Sequence, residues 1–130
     1  MQKQKELYIV IADDDPDDID LITPAFEAHP AFNKISCYNN GIELQENVSA
    51  NDQKPDIILT DINMPLMGGL DALENLQQLK IPTIVFSTIA NPAHEKRYIE
   101  LGVIGFLKKP IDYKGYSELP KKVLEILEKV

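Results

Sequence analysis

Four short apolar runs punctuate the chain: "LYIVIA" (7–12), "DIILT" (56–60), "TIVFS" (83–87) and "IGFL" (104–107). They are rich in Ile, Val and Phe and do not alternate cleanly with polar positions. Strands of a parallel sheet read this way, because helices cover both of their faces. A fifth run, "KISCY" (34–38), does alternate, which places it nearer a sheet edge.

Between these runs the apolar spacing changes to three and four. Ile19, Ile22 and Phe26 predict a first helix, with Asp15 as its N-cap and Pro16 at the first helical position. The stretch "NGIELQENV" (40–48) predicts a second. Leu70, Leu73, Leu76 and Leu79 predict a third, stopped before Pro82. "NPAHEKRYIELG" (91–102) predicts a fourth, capped by Asn91, entered through Pro92 and stopped at Gly102. "SELPKKVLEILEKV" (117–130) predicts the last, with Leu119, Val123, Ile126 and Val130 on one face. Five strands in strict alternation with five helices predict right-handed crossovers and a three-layer α/β sandwich. At 130 residues, with no internal repeat and no linker, the chain reads as one domain over 1–130, with residues 1–6 a flexible N-terminal tail.

Ligands of such sheets bind beyond the carboxyl ends of the strands. There the sequence puts Asp13 and Asp14, then Asp61, then Ser87 and Thr88, then Lys108, Lys109 and Pro110. Five carboxylates crowd the end of the first run: Asp13, Asp14, Asp15, Asp17 and Asp18. Asp15 is accounted for as a cap, and Asp17 and Asp18 as first-turn acids favoured by the helix dipole. Capping does not account for Asp13 and Asp14, which precede the cap, nor for Asp61, which follows an apolar strand. Like charges brought together this way repel, and a hard cation relieves them. Mg²⁺ takes oxygen ligands and keeps several waters, so one or two carboxylates and a carbonyl suffice. An EF-hand does not fit: counted from Asp13, Asp18 stands where Gly is needed and Pro24 where Glu is needed. No G-x-G-x-x-G follows the first strand, which removes a dinucleotide site.

Composition narrows the classes further. An apolar fraction of 44% supports a packed core. Thirteen Lys and Arg against 21 Asp and Glu give a net charge of −8, which argues against direct binding to nucleic acid or an anionic membrane. No apolar run is long enough to span a bilayer and the N-terminus lacks a signal-peptide pattern, so a cytoplasmic location is expected. The lone Cys37 excludes an internal disulfide and reads as a small core or half-buried residue. Lys108 reads as solvated, and His29 and His94 as surface residues on helices.

Taken together, "ADDD", "DIILTDINMPLMGGLDAL", "FST" and "FLKKP" resemble the receiver domain of two-component response regulators, over essentially the whole chain. The set is specific because its members fall in order on successive strands. The resemblance implies a flavodoxin-like (βα)5 fold with a five-stranded parallel sheet ordered 2-1-3-4-5. It implies Asp61 as phosphoacceptor, and Asp14 and Asp61 as direct Mg²⁺ ligands with the backbone carbonyl of Asn63. Asp13 would hold the ion through water, Lys109 would contact the phosphoryl group, and Ser87 and Phe106 would form the switch. Asn63 and Ile89 would flank the path of the hydrolytic water, where Asn63 can hydrogen-bond a water and Ile89 can only crowd it out. The Lys109–Pro110 bond in this family is usually cis. Ser87 stands where Thr is commoner, and Phe106 lacks the hydroxyl of the frequent Tyr, so its switching uses packing.

The function so implied is Mg²⁺-dependent transfer of a phosphoryl group from a phosphohistidine to Asp61, switching a protein-interaction surface, with catalysis of no other reaction. The donor is a histidine kinase or a histidine phosphotransfer protein. Ending at Val130, the chain is expected to stand alone and to act through an unidentified protein target. The fourth helix, fifth strand and last helix form the responding face, which is also open to a homodimer. Two other readings compete. A small Mg²⁺-dependent phosphohydrolase working through an aspartyl-phosphate favours a D-x-D pair, but the second Asp is Asn63 here. An inert docking pseudo-receiver would not need the full acidic set with Lys109.

Overall fold

The computed structural model describes residues 6–62, 69–87 and 92–129. Five strands, β1 (Leu7–Ala12), β2 (Phe32–Tyr38), β3 (Ile57–Asp61), β4 (Thr83–Ser87) and β5 (Val103–Lys108), form one sheet ordered β2-β1-β3-β4-β5. Every pairing is parallel. The sheet is flanked by α1 (Pro16–Glu27), α2 (Gly41–Ala50), α3 (Gly69–Leu76), α4 (Pro92–Glu100), α5 (Tyr113–Ser117) and α6 (Leu119–Glu128). This is a flavodoxin-like fold, with the strand order expected from the sequence.

Parity along the strands decides which layer each side chain enters. Ile9 and Ile11 of β1, Ile57 and Leu59 of β3, and Ile84 and Phe86 of β4 pack with Ile22 and Phe26 of α1 and with Leu119 and Val123 of α6. The intervening Tyr8, Val10, Ala12 and Ile58 pack with Leu44 and Val48 of α2 and with Ala72 and Leu76 of α3. Val85 and Val103 pack with Leu73, Tyr98 and Leu101 on that same side of the sheet, nearer β5. Each fully buried Ile, Leu or Phe contributes about 1.5–3 kcal/mol by leaving water, so this two-sided core fixes which residues end up at the top of the sheet.

The helix starts follow the sequence. The Asp15 side chain accepts the Asp17 N–H, and Pro16 opens α1. Asn40 caps α2 by accepting the Glu43 N–H at 2.8 Å. Gly102, with φ of 94°, turns the chain from α4 into β5, in a conformation other residues rarely adopt. Gly105 admits α6 to the sheet, because a Cβ there would lie 2.8 Å from Ile126 Cγ2.

Three expectations change. The C-terminal segment is two helices rather than one. Asp112 accepts the Gly115 N–H and starts α5, and Pro120 has no N–H to give the Tyr116 carbonyl, so an unbroken helix cannot form. The third helix tightens into a 3-10 turn over Gln77–Leu79, which ends at Lys80 in a left-handed conformation. Cys37 is exposed rather than half-buried, because β2 is an edge strand. Its Sγ lies 3.4 Å from Thr23 Oγ1.

Candidate functional site

The parity that builds the core also assembles the site. Asp13 continues the series Ile9, Ile11, and its N–H extends the ladder to the Tyr38 carbonyl at 3.0 Å. Asp61 continues Ile57, Leu59 as the last residue of β3. Lys109 follows Leu107, and its N–H donates to the Ser87 carbonyl at 2.9 Å. All three side chains therefore rise on the α1 side of the sheet.

There they meet. The Lys109 ammonium lies 2.8 Å from Asp61 Oδ2, 2.9 Å from Asp18 Oδ2 and 3.0 Å from Asp13 Oδ2. It is 9% exposed, Asp13 is fully buried, and it sits 5.1 Å from the centre of the Phe86 ring. Burial alone would depress the lysine, but the hydrogen bonds to Asp61 and Asp18 and the ion pair with Asp13 outweigh it and push its pKa up. The cation is locked in its charged form.

Each carboxylate is held differently. Asp61 Oδ1 accepts the Ile62 N–H at 2.7 Å, leaving Oδ2 to Lys109. Asp13 Oδ1 accepts the Asp15 N–H at 3.0 Å. Asp13 Oδ2 is buried and close to the ammonium, but among the described residues it has no well-directed hydrogen bond. Burial pushes Asp13 up to about 6, with the Asp61 charge adding to the rise, while the Asp15 N–H and Lys109 hold it down. Asp14 is exposed at the rim. One carboxylate oxygen from each of Asp13, Asp14 and Asp61 lies within 4.8 Å of the others. Three hard oxygen donors at this spacing, one of them buried and poorly satisfied, fit a Mg²⁺-like ion. A cleft of about 430 Å³ opens beside them, lined by Asp13, Asp14, Pro16, Cys37, Asn39 and Glu43 among others.

The remaining residues flagged by sequence divide into those placed and those not. Ser87 ends β4, one residue past Phe86, the partner of Asp61 in the sheet register. Phe106 is half-buried on β5, its ring 6.2 Å from that of Tyr98 with 60° between the planes. Asn63 and Ile89 lie outside the described residues, as do Thr88 and Asn91 and the side chain of His94. The Lys109–Pro110 bond is trans, unlike the family habit. His29 is a half-buried turn residue rather than a helical one, and its Nδ1 accepts the Ala31 N–H at 3.1 Å. Lys108 is exposed, as expected.

Asp18 was missed as a member of the site. First-turn acids face solvent more often than a lysine 91 residues away, and only the tertiary fold brings Lys109 to it. Its second oxygen accepts the Tyr116 hydroxyl at 3.0 Å.

Residues 9–120 match the model of the response regulator receiver domain. Protein-glutamate methylesterase/protein-glutamine glutaminase 1 of Caulobacter vibrioides is 29% identical over 128 residues, covering 96% of this chain and 36% of that protein. The chain thus spans about a third of that relative's length. The crystal structure of the phosphorylated cyanobacterial phytochrome response regulator RcpA superposes with a TM-score of 0.82 at 24% identity, covering 92% of each chain. The Mn²⁺-bound form of response regulator Rcp1 superposes with a TM-score of 0.79 at 20% identity, covering 92% of this chain and 95% of that one. Among the described residues no helix is long and apolar enough to cross a membrane. With the sheet order, the acidic trio and its lysine in place, the chain belongs to the response regulator receiver domain family.

Proposed function

We propose that Asp61 is the phosphoacceptor of this receiver domain and that a phosphohistidine on a histidine kinase or phosphotransfer protein is the donor. The observation that carries the reading is the Lys109 ammonium 2.8 Å from a buried Asp61 carboxylate, beside Asp13 and Asp14. An Asp61 oxygen attacks phosphorus in line, the P–N bond breaks, and the imidazole leaves with the bonding electrons and takes up a proton. Two anions must approach for this, so the chemistry depends on neutralising charge and on positioning. Asp13, Asp14 and Asp61, with the Asn63 carbonyl, are the residues that would hold Mg²⁺. Bound there, the ion supplies positive charge to the transferring group. Lys109 supplies a second positive charge, through its contact with Asp61 Oδ2. Its contacts fix it there before any donor arrives.

Read-out follows from Ser87 and Phe106. The Ser87 hydroxyl donates to an oxygen of the new acyl phosphate and moves toward Asp61, and Phe106 follows into the vacated space. The Phe106–Tyr98 ring contact then carries the shift to α4. Intact mass after incubation with acetyl phosphate and Mg²⁺ tests the acceptor. Wild type gains one phosphoryl group and Asp61→Asn gains none; equal gain by the variant would overturn the assignment.

A further inference from the structure

An ammonium has three N–H donors. The three carboxylates around Lys109 are unequal in what becomes of them during transfer. Asp61 loses its negative charge when it is acylated and becomes a weaker acceptor. Asp13 belongs to the trio that fits a divalent cation. Asp18 has neither duty, and it accepts from Lys109 at 2.9 Å with good geometry.

Asp18 is also held from behind. Its Oδ1 accepts the hydroxyl of Tyr116 at 3.0 Å, and Tyr116 is 5% exposed, packed in the core with Phe26, Leu119 and Val123. The backbone of Asp18 is set by the first turn of α1, which the Asp15 cap fixes. A rigid path thus runs from the core through Tyr116 and Asp18 to the end of a flexible four-carbon stem. We infer that Asp18, braced by Tyr116, is the positioning residue that keeps Lys109 over Asp61 while the phosphoryl group is transferred. Burial tends to raise Asp18, but the bonds from Lys109 and Tyr116 hold it below the usual carboxylate range. Burial and then Asp18 push the Tyr116 phenol up to about 12. At neutral pH, then, the acceptor is charged and the brace keeps its proton.

Asp18 has two opposed effects on an anionic donor. Its charge repels the donor, while its hydrogen bond holds the lysine that the transfer needs. Removing the charge should therefore tighten donor binding and slow the transfer, a combination that mere loss of structure does not produce. The inference rests on Asp61 being the phosphoacceptor.

The test is the rate of phosphorylation by acetyl phosphate in saturating Mg²⁺, followed by intact mass against donor concentration. Asp18→Asn should lower the limiting rate roughly tenfold, the worth of one charge-assisted hydrogen bond. Its half-saturating donor concentration should fall about threefold, since one nearby negative charge is gone. Tyr116→Phe keeps the ring and the Asp18 charge, so its limiting rate should fall roughly threefold with half-saturation unchanged. The Tyr116 Cζ signal in tyrosine-labelled protein should move in Asp18→Asn without any donor present. Wild-type kinetics in Asp18→Asn, or a slower rate with weaker saturation, would overturn the inference while leaving Asp61 as acceptor. Failure of wild type to take up a phosphoryl group would overturn both readings.

Discussion

On one side of Asp61, Lys109, Asp13, Asp18 and Tyr116 are joined by polar contacts of 2.8–3.0 Å. On the other, Leu73, Val85, Tyr98 and Leu101 form an apolar cluster against which Phe106 and Ile62 pack. The first flank is set by direction and charge, so it responds to pH and salt. The second is set by shape, so it responds to volume and hardly to solution conditions. On the proposed reading, a phosphoryl group on Asp61 acts on the polar flank by charge and direction and on the apolar flank mainly through packing, although burial and then the Asp61 charge already push the Tyr98 phenol up.

The largest effect should come from emptying the polar flank of its cation. Lys109→Met leaves buried carboxylates uncompensated, and removing one partner of a buried ion pair costs about 3–5 kcal/mol. Denaturant unfolding of the metal-free variant at pH 7 should show a loss at the lower end of that range, shrinking by pH 5 as Asp13 takes up a proton. A loss that does not depend on pH would break the distinction between the flanks.

Next in size is the same kind of insult to the apolar flank. Tyr98 is 2% exposed, and Tyr98→Leu removes ring contacts to Phe106 and leaves a partly collapsed void. The expected cost is about 2 kcal/mol by denaturant unfolding, equal at pH 5 and pH 7 and at low and high salt. A strong salt dependence would show that this side is electrostatic after all.

The third effect is the pH response of the wild type without metal. The folded pKa of Asp13 is about 6, above its ordinary value of 3.8. The folded protein therefore binds this proton more tightly than the unfolded chain, so the contribution to stability is fully present below about 3.8 and is lost as pH rises through about 6. Melting temperature should rise as pH falls from 7 to 5, and Asp13→Asn should abolish the rise. Asp18, held low by Lys109 and Tyr116, acts oppositely at more acidic pH: its contribution is lost as protonation finally reaches it. An unchanged melting temperature from pH 7 to 5 in wild type would refute the Asp13 account.

The smallest effect on chemistry should come from Ser87→Ala. It sits at the seam between the flanks, so the variant should accept a phosphoryl group on Asp61 to wild-type yield. The amide shifts that fluoroberyllate, an acyl-phosphate mimic, produces across residues 91–127 should be strongly reduced. Equal shifts in variant and wild type would remove Ser87 from the coupling.

Much of this comparison can be read from local pattern. The apolar runs marked every strand to within about two residues, because burial on both faces demands an unbroken Ile, Val and Leu stretch. The Asp15–Pro16 and Asn40 helix starts are local hydrogen-bond chemistry and were equally legible. So was the gathering of Asp13, Asp14, Asp61 and Lys109, since parallel topology sends every strand's carboxyl end to the same edge. The α5 start was missed because Asp112 follows "KKPI", where attention goes to the lysine and proline, and the Pro120 break was hidden by the strong amphipathic run of α6.

Sequence by itself determined the layer order, the strand ends and the identity of the charged groups, since each depends on spacing within one element or on a topology with a fixed hand. Only the tertiary structure decided how those groups share one another. It brought Asp18 to Lys109 across 91 residues, set Tyr116 behind it, and left Asp13 Oδ2 buried and, among the described residues, without a good hydrogen bond. It also exposed Cys37 by placing β2 at the edge. Those outcomes depend on distances between elements, and such distances are set by how whole helices seat on the sheet, a sum over the core that no local pattern encodes.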